Sequence, residues 1–403
     1  MSEDVYLKKV IDLNWRGKTL QFRLSQDLFS SFRIDVGSRF LLRTVLQAGK
    51  YTFRKILDLG CGYGPLGLAL KSTDETAVVH MVDRDALAVE FTRQNADLNK
   101  LSGVQVYGSL GYDDVCENDF DLIISNIPGK AGESVITYFL RDARYFVRPG
   151  GLVAIVVVTP IGSVVRSILD NTPDIDVVLH EVRSGHAVFH YRFTGESGET
   201  GSSYGNAIER GVYHRDEILF RRHDITWQMR TARGLTEFDS LHYRTELLLD
   251  GLYNIKGNDA RHAVVMNPGQ GHVPVFLEHI FRPDKITLVD RDLLSLRYSQ
   301  RNLAINGCPE ESVTSLHGVG FSTDKGDQAG LIAVILREEE GQEAVFETVQ
   351  AAAGCLTPGG ILLVSGGSTA IVRLTERIKA GLRLDIIERA KRKGYCLAVM
   401  KTV

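Results

Sequence analysis

One tetrapeptide, Val82-Asp83-Arg84-Asp85, occurs again as Val289-Asp290-Arg291-Asp292, and the offset between the two carries much more than four residues. It sets Asn95 on Asn302, Asn99 on Asn306, and Gly62 and Gly64 on Gly269 and Gly271. Upstream it sets Val5-Tyr6 on Val212-Tyr213, and Thr19, Gln21 and Arg23 on Thr226, Gln228 and Arg230. Pro149-Gly150-Gly151 returns as Pro358-Gly359-Gly360, two residues out of step after a small insertion. Self-similarity of this extent means two copies of one domain, and 403 residues is in any case long for a single core. Between the copies lies Thr194–Ser203, rich in Gly, Ser and Thr, which reads as a flexible linker. The expected division is residues 1–195 and 204–403.

Within the first copy, β-branched runs alternate with helical patterns, as in a doubly wound sheet. Strands are expected at Lys55–Leu59, Val78–Val82, Val104–Tyr107, Leu122–Ser125 and Leu152–Thr159, with helices at Pro65–Lys71, Ala86–Asn99, Glu133–Phe146 and Ser163–Asp170. A last pair, Asp176–Val182 and His186–Phe193, is joined by a short Arg-Ser-Gly turn and reads as antiparallel. The fold class expected is therefore α/β: two tandem domains, each a seven-stranded, mostly parallel sheet with an antiparallel terminal hairpin.

Composition narrows the function classes. At 44% hydrophobic and 24% charged residues the chain is an ordinary globular protein, and its longest apolar run, Leu152 to Thr159, has strand length rather than bilayer length. No basic-then-apolar leader opens the sequence. Five cysteines lie far apart without a C-x-x-C pair, which argues against a disulfide framework or a zinc site and suits a reducing cytoplasm. A net charge of −3 gives no global pull toward nucleic acid. Residues 1–55 nevertheless hold eleven Lys/Arg against five acids, which reads either as a basic arm or as solvated surface.

The sharpest chemical signal is Ile56-Leu57-Asp58-Leu59-Gly60-Cys61-Gly62-Tyr63-Gly64, a buried strand running into a glycine-rich turn and then a helix. Such a turn lets the backbone approach a ligand closely. Gly62, Gly64 and Gly67 also satisfy G-x-G-x-x-G, with Asp83 about 20 residues on, so a dinucleotide site is the rival reading. Asp58 stands at the strand end before three alternating glycines, whereas a pyrophosphate wants a free, positive helix N-terminus. Asp121-Leu-Ile-Ile-Ser125-Asn126-Ile127-Pro128-Gly129 is the second signal, at the end of the fourth strand of the domain. The Asn126 side-chain oxygen and the Ile127 carbonyl can both accept from an amino group and aim its lone pair, while Pro128 stiffens the loop.

The first of these resembles motif I of the class I S-adenosylmethionine-dependent methyltransferases, whose fold is a Rossmann variant. The second resembles the N-P-P-aromatic motif of enzymes that methylate exocyclic nitrogens; Ile127 replaces its first proline and Gly129 its stacking aromatic. Leu28-Phe29-Ser30-Ser31-Phe32-Arg33-Ile34-Asp35-Val36-Gly37-Ser38-Arg39-Phe40-Leu41-Leu42 is similar to the stretch preceding motif I in the small-domain (MTS) methyltransferases, which include tandem-duplicated bacterial ribosomal RNA guanine-N2 methyltransferases. The resemblance implies S-adenosyl-L-methionine as cofactor. It implies that Asp58 serves the amino group of the methionine moiety, Asp83 the ribose hydroxyls and Ser109, after the third strand, the adenine. The cofactor set expected is Asp58, Gly60, Cys61, Gly62, Gly64, Asp83, Arg84, Ser109 and Asn126. Transfer is expected at Asn126, Ile127 and Pro128, with no metal. The expected partner is RNA, ribosomal RNA among the choices, with no membrane.

The second copy has lost this chemistry. Asp58 becomes Val265, Gly60 becomes Asn267, and Asn126-Ile-Pro-Gly becomes Ile335-Leu336-Arg337-Glu338, followed by Glu339 and Glu340, which reads as an acidic patch. Arg210, Arg215, Arg221, Arg222, Arg230 and Arg233, interleaved with Tyr213, Phe220 and Trp227, suit either an RNA surface or a two-faced hairpin. The expectation is an RNA N-methyltransferase in which the first copy acts. The rivals are transfer to a small molecule or a protein amide, and a non-catalytic RNA-binding scaffold.

Overall fold

The computed structural model describes residues 3–28, 33–47, 52–195, 205–258, 260–321, 328–381 and 383–402. The linker residues 196–204 and residues 29–32 of the Phe-Ser stretch lie outside them. Two compact units result: Leu7–Tyr213, and His214–Val403 together with Met1–Tyr6. The segment just before the second hairpin therefore packs with the first unit, where Ala207 N donates to Asp113 Oδ1 at 3.0 Å and Arg210 pairs with Asp142. No described helix is long and apolar enough to cross a membrane.

The first unit opens with an antiparallel hairpin, β1 (Leu7–Trp15) and β2 (Lys18–Ser25), followed by α1 (Val36–Gln47). Then come β3 (Lys55–Leu59), α2 (Pro65–Thr73), β4 (Val78–Asp83), α3 (Ala86–Leu98), β5 (Val104–Gly108), β6 (Phe120–Asn126), α4 (Glu133–Arg141), β7 (Val147–Val158), α5 (Thr159–Asp170), β8 (Ile175–Arg183) and β9 (His186–Phe193). The sheet order is β5-β4-β3-β6-β7-β9-β8, with the last two pairings antiparallel and the rest parallel. The expected strands are all present. Several boundaries differ: β7 starts at Val147 and runs through the Pro-Gly-Gly bend, Thr159 opens α5 instead of closing the strand, α4 ends at Arg141 rather than Phe146, and β6 extends from Phe120 to Asn126.

The second unit repeats the plan. Its hairpin is β10 (His214–Arg222) and β11 (Ile225–Ala232), and its core elements are α6 (Tyr243–Asn254), β12 (His262–Met266), α7 (His272–Phe281), β13 (Lys285–Asp290), α8 (Leu293–Ile305), β14 (Val313–His317), β15 (Ala329–Ile335), α9 (Gln342–Gly354), β16 (Leu356–Gly367), α10 (Ser368–Gly381), β17 (Leu384–Arg392) and β18 (Tyr395–Thr402). The order β14-β13-β12-β15-β16-β18-β17 matches the first sheet strand for strand. Phe220 and Trp227, at 8% and 1% exposure, face the core, so this hairpin is two-faced packing and not a run of exposed stacking rings.

The repeated asparagines explain themselves at this level. Asn95 accepts from Arg23 N at 2.7 Å and donates to the carbonyls of Arg23 and Tyr63. Asn99 accepts from Gln21 N at 2.8 Å and donates to Gln21 O. Each carboxamide thus gives the free edge of β2 the donor and acceptor that a neighbouring strand would. Asn302 and Asn306 do the same for Arg230 and Gln228 on β11.

Candidate active site at the switch of the first sheet

From β3 the chain moves outward through β4 and β5, then returns to the other side of β3 with β6. That reversal opens a crevice at the carboxyl ends of β3 and β6, the place where open α/β sheets bind ligands. Asp58 stands beside Ile124 in the register, and Ser125 Oγ ties the two strand ends by donating to Leu59 O at 2.7 Å. The sheet therefore brings Asp58, the glycine turn, Asp83 and Asn126 to one edge.

The turn depends on glycine for backbone reasons. Gly60, Gly62 and Gly64 have φ of +75°, +58° and +89°, which residues with a Cβ rarely adopt. A Cβ on Gly60 or Gly62 would meet no atom within 4 Å, so both face open space. Gly64 caps α2, and Pro65 takes the first helical position, where its missing N–H costs nothing. Gly67 serves packing: a Cβ there would fall 2.6 Å from Met81 Sδ.

Asp58 is fully buried. Its Oδ2 accepts from Gly67 N at 2.8 Å, while its Oδ1 has no hydrogen-bond partner among the described residues. Burial pushes its carboxyl up to about 7, the Gly67 N–H pulls the other way, and the Asp83 charge adds to the rise. An orphaned acceptor in such a place suits a cationic N–H donor from a ligand. Asp83 accepts from Gly62 N at 2.9 Å and Asp85 N at 3.0 Å, which fixes its carboxylate beside the turn; Arg84 follows it, half-buried.

Cys61 and Ser109 are oriented otherwise than a side-chain ligand would be. The Cys61 thiol is buried against Thr92 Oγ1 and the Gly62 carbonyl, and burial pushes it well up, so at most its backbone borders the crevice. The Ser109 hydroxyl donates to Gly111 O at 2.7 Å and accepts from Asp114 N at 3.1 Å, closing its own loop.

Asn126 ends β6. Its Nδ2 donates to Asp35 Oδ2 and to Ser38 Oγ, both at 3.0 Å, and its Oδ1 accepts no hydrogen bond among the described residues. Ile127 is buried and held by its N–H to Val156 O at 3.0 Å, and Ala131 N closes a turn on Pro128 O. Gly129 is exposed; a Cβ there would lie 3.3 Å from Val158. Asp35 and Ser38 were part of a motif in the sequence but carried no role there; only the fold brings them to a residue some 90 positions away.

The matching crevice of the second unit is filled by its own side chains. Arg337, at the position of Pro128, donates to Asn267 Oδ1 at 2.9 Å and to Asp290, which is 1% exposed. Asn267 occupies the place of Gly60 with φ +57° and donates to Ile335 O. Val265 is buried where Asp58 would be. The expected acidic patch is reduced by one residue: Glu340 is buried in an ion pair with Arg291, while Glu338, which accepts from Gly367 N, and Glu339 are exposed.

The model of the methyltransferase small domain matches residues 19–174. The uncharacterized protein YbxB of Bacillus subtilis is 32% identical over 151 residues, 36% of this chain and 72% of that protein. Ribosomal RNA small subunit methyltransferase C of Haemophilus influenzae is 35% identical over 34% of this chain, and ribosomal RNA large subunit methyltransferase G of Shewanella loihica 31% identical over 36%. The chain spans only 44% and 39% of the length of those two relatives. A T. thermophilus 16S rRNA N2 G1207 methyltransferase, solved with AdoMet and guanosine, shares the fold across 98% of both chains with a TM-score of 0.66 at 16% identity. The chain belongs to the methyltransferase small-domain family.

Proposed function

We propose that the first unit is an S-adenosyl-L-methionine-dependent methyltransferase acting on the exocyclic N2 amine of guanine in ribosomal RNA, and that the second unit is a non-catalytic copy of it. The observation that carries this reading is the meeting, at one strand edge, of a buried carboxylate oxygen and an Asn carbonyl oxygen, neither of which has a donor among the described residues. The relatives named for ribosomal RNA methylation and the neighbour solved with AdoMet and guanosine support the substrate class.

The cofactor fits the residues present. Asp58 Oδ1 would take its ammonium, Asp83 its ribose hydroxyls, and the open faces of Gly60 and Gly62 its body; Cys61 contributes only backbone, and Arg84 borders the ribose side. The Ser109 hydroxyl is already committed, so contact with adenine falls to its neighbours. When bound, the cofactor supplies an electrophilic methyl group on a sulfonium. The chain does the rest by positioning. Asn126 Oδ1 and the Ile127 carbonyl accept the two amine hydrogens, turn the nitrogen lone pair toward the methyl, and stabilise the positive charge that grows there. Pro128 keeps the carbonyls from turning away.

The test is methyl transfer from tritiated cofactor to ribosomal RNA fragments, with nucleoside analysis of the product. Asn126→Ala should lower transfer by about 100-fold or more while cofactor affinity changes by less than about 2-fold. An Asn126→Ala protein that transfers normally defeats the assignment. Gly129, which offers no ring for base stacking, favours a second reading, transfer to a protein amide or small amine. Label in protein and none in RNA would select it.

A further inference from the structure

We infer that Asp35 and Ser38 are positioning residues that fix the Asn126 carboxamide in its productive orientation, an inference that rests on the proposed function. An Asn side chain can be turned over with little change in shape, exchanging its oxygen and its NH2. Only one of the two orientations presents an acceptor to an amine. The choice is made here by a carboxylate, which is an acceptor and cannot donate. With Asp35 Oδ2 and Ser38 Oγ each 3.0 Å from Asn126 Nδ2, both amide hydrogens are taken and Oδ1 is left without a donor among the described residues. The reversed amide would set its oxygen against the Asp35 charge. The same negative charge polarises the amide and makes Oδ1 a stronger acceptor.

The surroundings hold Asp35 in place. Its Oδ2 also accepts from Ser38 N at 3.0 Å, and its carbonyl accepts from Arg39 N at 3.1 Å, so it is the N-cap of α1. Its other oxygen stands 4.0 Å from His186 Nε2 at the start of β9. Gly37 makes that approach possible, because a Cβ there would lie 2.6 Å from the His186 ring. Ser38 is 3% exposed, so its hydroxyl is no casual surface contact. The spacing Asp35-x-x-Ser38 thus starts a helix and orients the substrate-binding amide with the same two side chains.

Asp35→Asn separates the two roles, because Asn caps a helix as well as Asp does but no longer dictates the amide orientation. We expect kcat to fall about 10- to 100-fold with KM for RNA, cofactor affinity and melting temperature near wild type. Ser38→Ala should lower kcat by about 3- to 10-fold. Asp35→Asn added to Asn126→Ala should cost nothing further. A second measurement needs no activity: in protein labelled with 15N-Asn, the Asn126 side-chain NH2 should exchange slowly in wild type and at least about 10-fold faster in Asp35→Asn. Wild-type kcat in Asp35→Asn, or a parallel loss of kcat, cofactor binding and melting temperature, overturns the positioning role and leaves the proposed function standing. A wild-type protein that methylates no guanine defeats the proposed function; a rapidly exchanging Asn126 amide then overturns the positioning as well, and a protected one upholds it.

Discussion

At the scale of single residues, Asp58 is the group whose chemistry folding has changed most. Its carboxyl moves from 3.8 up to about 7, chiefly because burial penalises the charge. Between those two values the folded chain holds a proton that the unfolded chain has released. Stability from this group is therefore full below about pH 4, falls as pH rises to 7, and is constant beyond. Asp58→Asn removes the penalty. The unliganded variant should be more stable than wild type by on the order of 2–4 kcal/mol at pH 8, with a smaller gain at pH 5. Denaturant melts at pH 5, 7 and 8 check this; a gain independent of pH would show that burial of the charge is not the cause. Cofactor binding has the opposite sign of benefit. An ammonium beside Oδ1 favours the ionised acid, so affinity should weaken toward tenfold per pH unit below 7 in wild type and lose that dependence in Asp58→Asn.

At the scale of elements, the hairpins β1–β2 and β10–β11 are held to their domains by two asparagines apiece rather than by a continuing sheet. Asn95 is fully buried and serves Arg23 and Tyr63 at once, so Asn95→Ala leaves several backbone groups unpaired and should cost about 2–4 kcal/mol. Asn99 is only half-buried and its backbone partners can turn to water, so Asn99→Ala should cost about 1 kcal/mol. Unfolding of the two variants, with proteolysis at the Arg16-Gly17 turn, measures the difference; equal costs would mean that burial is not what sets them. These clamps also show what could be read from the chain. The strands, the antiparallel terminal hairpin and the glycine turn were legible because they rest on local alternation and on backbone conformations that only glycine adopts easily; the order of the strands in the sheet was not, because it depends on contacts between distant segments. The function of Asn95 and Asn99 was visible only as recurrence. The helix α1 was legible as a motif but not as a partner of β6, since nothing local in Asp35 or Ser38 says which distant side chain they will meet. Ser109 shows the same limit: the motif marks the position, while the loop Gly111–Asp114 decides where the hydroxyl goes.

At the scale of the whole molecule, duplication has produced two sheets of one topology with different occupants at the switch. In the first, the strand edge keeps an orphaned acceptor. In the second, Arg337 reaches back to Asp290 and Asn267, and Val265 provides no acid. A ligand ribose would have to displace a guanidinium from a carboxylate that is 1% exposed, which leaves that cation without its partner. One cofactor per chain is therefore the expected stoichiometry by titration calorimetry, falling to none in Asp58→Ala. Arg337→Ala should not raise it, because the missing acid at Val265 is not restored. What Arg337→Ala should do is strand a buried carboxylate and destabilise the second unit by about 3–5 kcal/mol. Hydrogen exchange along β12, β13 and β15 resolves that loss without assuming that both units unfold together. Adding Asp290→Asn should recover most of it, since the pair then leaves as a pair. Two cofactors bound to the wild-type chain, or a second one gained by Arg337→Ala, would show that the second crevice is a working site held shut rather than one converted to structure.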